Sequence, residues 1–390
     1  MPGIYPLKGI VKHYDWGGTS YIPSLLKIDN KNNQPFAEYW MGIHPLGISQ
    51  VELPGGEIKS LTEYANDLPY LFKVLDVKDM LSIQVHPSKA AAIEEFDREN
   101  REAIPLQSPQ RNYKDANHKP EMLVALSDFW LLHGFKPEKE LVYILLNVVE
   151  LRELLPVFNQ SGYAGLYRHI MEMPQEEVNR ILQPLIKNIL PAYNNGIDDK
   201  MDEDFWAARA TINFSKGHDI DRGIFSIYLF NIVQLKKGEG LFQGAGLPHA
   251  YLEGQNVELM ANSDNVLRGG LTSKYIDVDE LLKHVKCEPT IPAILKGERI
   301  AEHITLFKTP VPDFELSVIV LKQDEIINIT AFSTESLLVT EGRVQIDKEG
   351  IILEIGKPAA IALPGTSYSL TGCAGMTIVF RASVPVQQGE

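Results

Sequence analysis

Leu81-Ser82-Ile83-Gln84-Val85-His86-Pro87 alternates apolar and polar side chains. Drawn out as a strand, it sends Leu81, Ile83 and Val85 to one face and Ser82, Gln84 and His86 to the other. An apolar ridge backed by three polar side chains in register describes a strand that lines a pocket. A half-exposed strand whose polar face meets water has the same pattern, so this stretch alone leaves both readings open.

Two further segments narrow the choice. In Asn117-His118-Lys119-Pro120-Glu121-Met122-Leu123-Val124, Lys119 and Glu121 share a face. Pro120 lacks an N–H and biases Lys119 toward extended backbone, as at a strand start or edge. A solvated turn with a casual ion pair is the plainer alternative. Residues 238–254, around Gly244-Ala245-Gly246-Leu247-Pro248-His249-Ala250-Tyr251, read as strand, glycine-rich turn and strand, with His249 and Tyr251 on one face. A histidine bonded within a core is the plainer alternative there. Together Gln84, His86, Glu121 and His249 form a nitrogen- and oxygen-donor set. Imidazoles with a carboxylate suit Zn²⁺, Fe²⁺ or Mn²⁺, and the lack of thiolates argues against a closed structural zinc site. Glutamine is an uncommon ligand, and chemistry alone does not select Gln84 over Ser82. The residues by themselves imply a metal-binding pocket in a β-barrel, with its reaction unspecified.

Around these segments the chain shows three textures. Its 390 residues exceed what one core usually supports. Up to about Phe135 it is turn-rich, with strand-like runs such as Leu71-Phe72-Lys73-Val74-Leu75. From Lys136 to Phe214 apolar residues fall at helical spacing, as in Val178, Ile181, Leu182, Leu185, Ile186 and Ile189, behind Pro174 and the acidic Glu176 and Glu177. Strands resume from Gly238, and short strands separated by turns follow Ile300, suggesting a β-sandwich or jelly roll. The expected division is a β-unit from 1–135 and 214–299, a helical insertion at 136–213, and a second β-unit at 300–390.

The net charge of −14 disfavours a nucleic-acid or anionic-membrane partner. An anionic small substrate would need a few lysines and arginines gathered locally. No run approaches the roughly 20 apolar residues of a membrane span, and the first residues lack a signal-peptide pattern. Cys287 and Cys373 are too far apart in sequence to suggest a disulfide framework or a metal spacing. A cytoplasmic location is expected.

The three chemistry-bearing segments, with Tyr14-Asp15-Trp16-Gly17-Gly18, Ala37-Glu38-Tyr39-Trp40-Met41-Gly42, Leu68-Pro69-Tyr70-Leu71-Phe72-Lys73-Val74-Leu75 and the motif running from Glu258 through Asp264 to Thr272, resemble the type I phosphomannose isomerases of the cupin superfamily. The resemblance covers nearly the whole chain. It implies a mainly β fold of two cupin (jelly-roll) barrels with an α-helical domain, the C-terminal barrel holding no metal. It implies interconversion of mannose 6-phosphate and fructose 6-phosphate, with one zinc ion per chain on Gln84, His86, Glu121 and His249. Arg268 and Lys119 match positions near the reacting carbons, Glu258, Tyr251 and Asp264 other pocket positions, and Lys73 and Ser82 positions associated with the phosphate. On this basis Lys119 is the expected base, with His118 assisting ring opening, Glu258 the rival base, and Arg268 facing developing negative charge. The plainer roles are a static partner of Glu121 or of the phosphate for Lys119 and a clamp of the Asn262–Thr272 loop for Arg268. A small phosphorylated sugar is the expected partner, and a monomer or weak homodimer the expected state. A metal-dependent oxygenase and a sugar-phosphate sensor without turnover are the competing readings.

Overall fold

The strand His249–Ala261 is the axis around which the first sheet is built. In the computed structural model, which describes residues 3–196, 198–215, 217–346 and 350–386, its two halves have different neighbours. Residues 249–253 run antiparallel to Phe129–Phe135. Residues 254–261 lie between Tyr70–Val77 and Glu121–Ala125. The handover falls at Gly254, with φ of 120°. A Cβ there would stand 2.5 Å from the Asp128 carbonyl oxygen, so only glycine lets the strand turn this corner. Ile83–Val85 pairs with the His249 end and with Leu267–Gly270, while Glu121–Ala125 also pairs with Gly240–Gln243. The ten strands of this sheet curl into a barrel whose interior receives alternate side chains.

The second β-unit is a sandwich. Glu315–Leu321, Thr377–Ser383, Glu335–Glu341 and Ala359–Ala362 form the middle of a nine-stranded sheet. A four-stranded sheet of Ile326–Thr330, Ser367–Gly372, Arg343–Ile346 and Ile351–Glu354 packs over it. Leu337, Val339 and Val379 from one layer meet Val344, Leu353 and Leu370 from the other in an aliphatic core. The N-terminal strand Ile4–Lys8 joins this sheet, Ile4 lying opposite Ala362 and Leu7 opposite Val51. A shared core of Phe72, Val74, Met122 and Leu259 from the barrel and Phe314, Leu338, Ile361 and Phe380 from the sandwich locks the two units. Tyr70 donates across this seam to the carbonyls of Thr334 or Ala382, each 3.0 Å away.

The helical insertion packs against the barrel over the strands Ile83–Val85, Phe129–Phe135 and Leu267–Gly270. In Gln175–Asn194 the buried side chains are Val178, Ile181, Leu182, Leu185, Ile186 and Ile189, the set that the sequence periodicity selects. Helices continue past Phe214 to Gly223–Leu229, every residue of which is buried. A further helix, Lys89–Arg101, interrupts the region read as turn-rich; Ser88 caps it by accepting the Ala91 N–H at 3.2 Å. Among the described residues no helix is long and apolar enough to cross a membrane.

Candidate active site

The regular ladder around the opening segment covers only Ile83–Val85, yet the alternation holds beyond it. Ile83 and Val85 are buried in the core, while Ser82 and Gln84 line a cavity. His86, one step further, turns its ring toward Glu121 and His249, and Gln84 is the cross-strand neighbour of His249. His86 Nε2 lies 3.3 Å from Glu121 Oε1 and His249 Nε2 lies 3.2 Å from Glu121 Oε2. The other ring nitrogens are taken: His86 Nδ1 donates to the Asn265 carbonyl and His249 Nδ1 to the Leu247 carbonyl, each at 2.9 Å. That fixes the tautomers and aims both Nε2 lone pairs at a carboxylate.

Two lone pairs facing an anion in a buried space repel unless a cation stands between them. Protonation is a poor remedy at His86, because burial, helped by the charge of Lys119, pushes its imidazole down to about 4. Among the described residues His86 Nε2 has no hydrogen-bond partner. The ligand atoms of His86, Glu121 and His249 lie within 4.8 Å of one another, all buried. The donor set therefore fits a divalent cation of borderline hardness such as zinc.

Beside this centre is a small inner cavity of about 60 Å³, lined by Glu38, Lys73, Gln84, Lys119, Glu121, His249, Tyr251 and Glu258 among others. Lys119 Nζ sits 2.8 Å from Glu121 Oε1. Lys73 is ion-paired with Glu258, which also accepts from the Tyr251 hydroxyl at 2.6 Å; Gln243 in turn donates to that hydroxyl at 2.9 Å. Burial alone would pull the Lys73 ammonium down, but the carboxylates of Glu258, Glu38 and Glu121 overturn this and hold it above the usual lysine range. Burial pushes the Glu258 carboxyl up against the opposing pull of Lys73. With two lysines against three carboxylates, the inner cavity is net negative until a divalent cation reverses its sign.

Gln84, Leu81 and Glu38 also line a wide outer cavity of about 750 Å³, together with Ser82, Arg268, Thr272 and Lys274. Arg268 is the cross-strand neighbour of Gln84. Its Nε has no hydrogen-bond partner, and among the described residues no carboxylate lies within ion-pair range of it. The structure thus gathers His86, Glu121 and His249 at one centre and sets Lys119, Lys73, Tyr251 and Glu258 around the inner cavity beside it. It gives Gln84 to both cavities and puts Ser82 and Arg268 on the outer one. It does not bring Lys73 and Ser82 onto one wall. His118 stands apart, its Nε2 3.0 Å from Asp313 Oδ2, and Asp264 pairs with His44 at 3.3 Å.

Sequence reading passed over Glu38, Lys274 and Asn265. Glu38 bonds the Trp40 indole and lines both cavities; a charge inside the apolar run Phe36-Ala37-Glu38-Tyr39-Trp40 was the available signal. Asn265 has no such signal, since it acts through its carbonyl on His86 and its amide on the backbone of residues 114–117. A second group able to gather around an ion, Glu95, Glu280 and His284, is already occupied. Arg98, Lys283 and Tyr113 all bond Glu280, which makes it an ion-pair node between two helices.

Comparison with known proteins agrees with this geometry. The family model for the phosphomannose isomerase type I catalytic domain matches residues 4–138. Mannose-6-phosphate isomerase of Shigella flexneri is 35% identical over 95% of this chain and 98% of its own. The enzyme of that name from Rattus norvegicus is 33% identical over 88% of each. A crystal structure of mannose 6-phosphate isomerase from Salmonella typhimurium, bound to its substrate F6P and zinc, superposes with a TM-score of 0.84 at 32% identity, covering 98% of this chain and 100% of that one. Another, bound with zinc and yttrium, gives the same score and coverage. Since the likeness runs through the barrel, the helical insertion and the sandwich alike, the chain belongs to the type I phosphomannose isomerase family.

Proposed function

We propose that this chain interconverts mannose 6-phosphate and fructose 6-phosphate, using one zinc ion held by Gln84, His86, Glu121 and His249. The observation that carries the reading is the pair of imidazole lone pairs aimed at one buried carboxylate, beside a cavity that also holds Lys119, Lys73 and Glu258. When bound, zinc supplies Lewis acidity toward the oxygens at the reacting end of the sugar. Isomerisation moves a proton between C2 and C1 and shifts the carbonyl, through a cis-enediol.

Lys119 takes the proton from one carbon and returns it to the other. Arg268, free of any carboxylate among the described residues, offsets the charge that develops on the oxygens. Glu258 is the rival base, since burial already raises its carboxyl and Tyr251 holds it in place. The phosphate is best accommodated in the outer cavity against Ser82 and Lys274, with Lys73, tied to Glu258, serving the sugar end. His118 and Asp264 have no part in this reading, because their partners turn them to Asp313 and His44. The barrel of 1–135 and 214–299 would carry the chemistry, the 136–213 insertion and the 300–390 unit would brace it, and the product would feed mannose use or GDP-mannose supply.

A coupled assay on mannose 6-phosphate, before and after chelation and after zinc return, tests this. Turnover that disappears with zinc and returns with it is expected. A zinc-loaded chain that binds fructose 6-phosphate without turnover would make it a sensor, and oxygen uptake with Fe²⁺ would make it an oxygenase. Lys119→Ala is expected to lower kcat by about 10²–10⁴-fold with zinc content unchanged, and Glu258→Gln by less. The reverse order would transfer the role of base to Glu258.

A further inference from the structure

Among the described residues Arg268 has no side-chain partner to hold its Nε, so its aim depends on the backbone that carries it. That backbone is irregular. Arg268 pairs with Gln84 and Gly270 with Ile83, leaving Gly269 as the extra residue of a bulge. A bulge bends its strand and re-aims the neighbouring side chains. Just beyond it Gly270 has φ of 132° and Leu271 φ of 52°, a left-handed conformation that leucine adopts only when held there.

The holding group is Asp221, in the connection between the helices Glu203–Phe214 and Gly223–Leu229. Its Oδ1 accepts the N–H of Gly223 at 2.7 Å and of Leu271 at 2.8 Å, and its Oδ2 accepts the N–H of Thr272 at 3.1 Å. The two backbones touch. A Cβ on Gly223 would fall 2.5 Å from the Leu271 nitrogen, and one on Gly270 would fall 2.4 Å from the Gly223 Cα. Residues 271–274 then form a wall of the outer cavity.

We propose, resting on the reading of the outer cavity as the sugar-phosphate site, that Asp221 is a positioning residue. It fastens the connection that leads into the helix Gly223–Leu229 to the strand Leu267–Gly270, keeps the bulge in register, and so aims Arg268 and the 271–274 wall at the substrate. The connection just after the insertion is on this account part of the catalytic geometry.

The test uses the full zinc-loaded chain with Asp221→Ala and the milder Asp221→Asn, which keeps one acceptor oxygen. Amide hydrogen exchange reads the hold directly. Exchange across 268–274 is expected to quicken by about tenfold or more in Asp221→Ala, less in Asp221→Asn, with the rest of the barrel unchanged. A double-mutant cycle with Arg268→Ala reads the consequence. Asp221→Ala is expected to lower kcat/KM for mannose 6-phosphate by about tenfold in the native background and about twofold in the Arg268→Ala background, since an absent arginine cannot be misaimed. Unchanged exchange at 268–274 in both variants, or an equal loss in both backgrounds, would overturn the proposal. If the native zinc-loaded chain does not turn over mannose 6-phosphate, the functional reading fails. The exchange experiment still decides whether Asp221 holds the strand.

Discussion

The metal-site barrel and the C-terminal sandwich use similar antiparallel strands and bury different things. Inside the first, Glu38, Lys73, His86, Glu121, His249 and Glu258 are all buried. Among the described residues after 300, Glu335 is the one buried charged side chain, answered by the Tyr368 hydroxyl at 2.7 Å and by Arg381 at 3.7 Å. Apart from Tyr368, the buried residues of the sandwich core are aliphatic and are held by packing. The barrel interior is a set of charges that must neutralise one another or be neutralised by an ion. Alternation along a strand specifies a face without specifying its chemistry, so similar strands can enclose an aliphatic core in one place and a set of buried charges in the other.

The contrast breaks most sharply at the ligands. Glu121→Ala is expected to lose zinc and about 10³-fold or more in kcat, read by metal analysis and the coupled assay. Full activity with bound zinc would contradict it. The next effect in size is at the inner ion pair. Lys73→Met leaves Glu258 buried without its cation and is expected to cost about 3–5 kcal/mol in denaturant unfolding. Adding Glu258→Gln should recover most of that stability and none of the turnover. If stability fails to return, the pair is not acting as a pair.

In the sandwich the ordering of effects reverses. Leu337→Ala, in the aliphatic core, is expected to cost about 3 kcal/mol of stability and to leave kcat per folded molecule unchanged. A fall in kcat that matches the ligand variants would erase the distinction between the two units. The smallest effect is at Glu280. Burial alone would raise its carboxyl, but bonds from His284, Lys283 and Tyr113 hold it down to about 2, against an ordinary 4.5. A depressed carboxyl stabilises the fold fully above its ordinary value, and that contribution fades as pH falls from about 4.5 toward about 2. Glu280→Gln should therefore lower the melting temperature at pH 7 and flatten the acid decline. An unchanged acid limb would show that the node contributes nothing.

Much of the site was legible because strand alternation is a local signal. Ser82, Gln84 and His86 could be grouped from seven residues, and the helix Gln175–Asn194 from its spacing. Other features depend on distant partners. The pairing of Ile4–Lys8 with Ala359–Ala362 leaves no mark in either segment. His118 turns to Asp313, far along the chain, and Lys73 meets Glu258 instead of joining Ser82. The helix Lys89–Arg101 buries only Ala92 and Glu99, too little to write an apolar stripe, and Gly223–Leu229 is buried all round, which erases periodicity.

The claim beneath all of this is that two imidazoles, one carboxylate and one amide share a single cation. Zinc K-edge absorption on the purified, zinc-loaded chain reads that shell directly. It should contain only nitrogen and oxygen neighbours with the multiple scattering of two imidazoles, falling to one in His249→Ala. A sulfur neighbour, or a spectrum that His249→Ala does not change, would contradict the account.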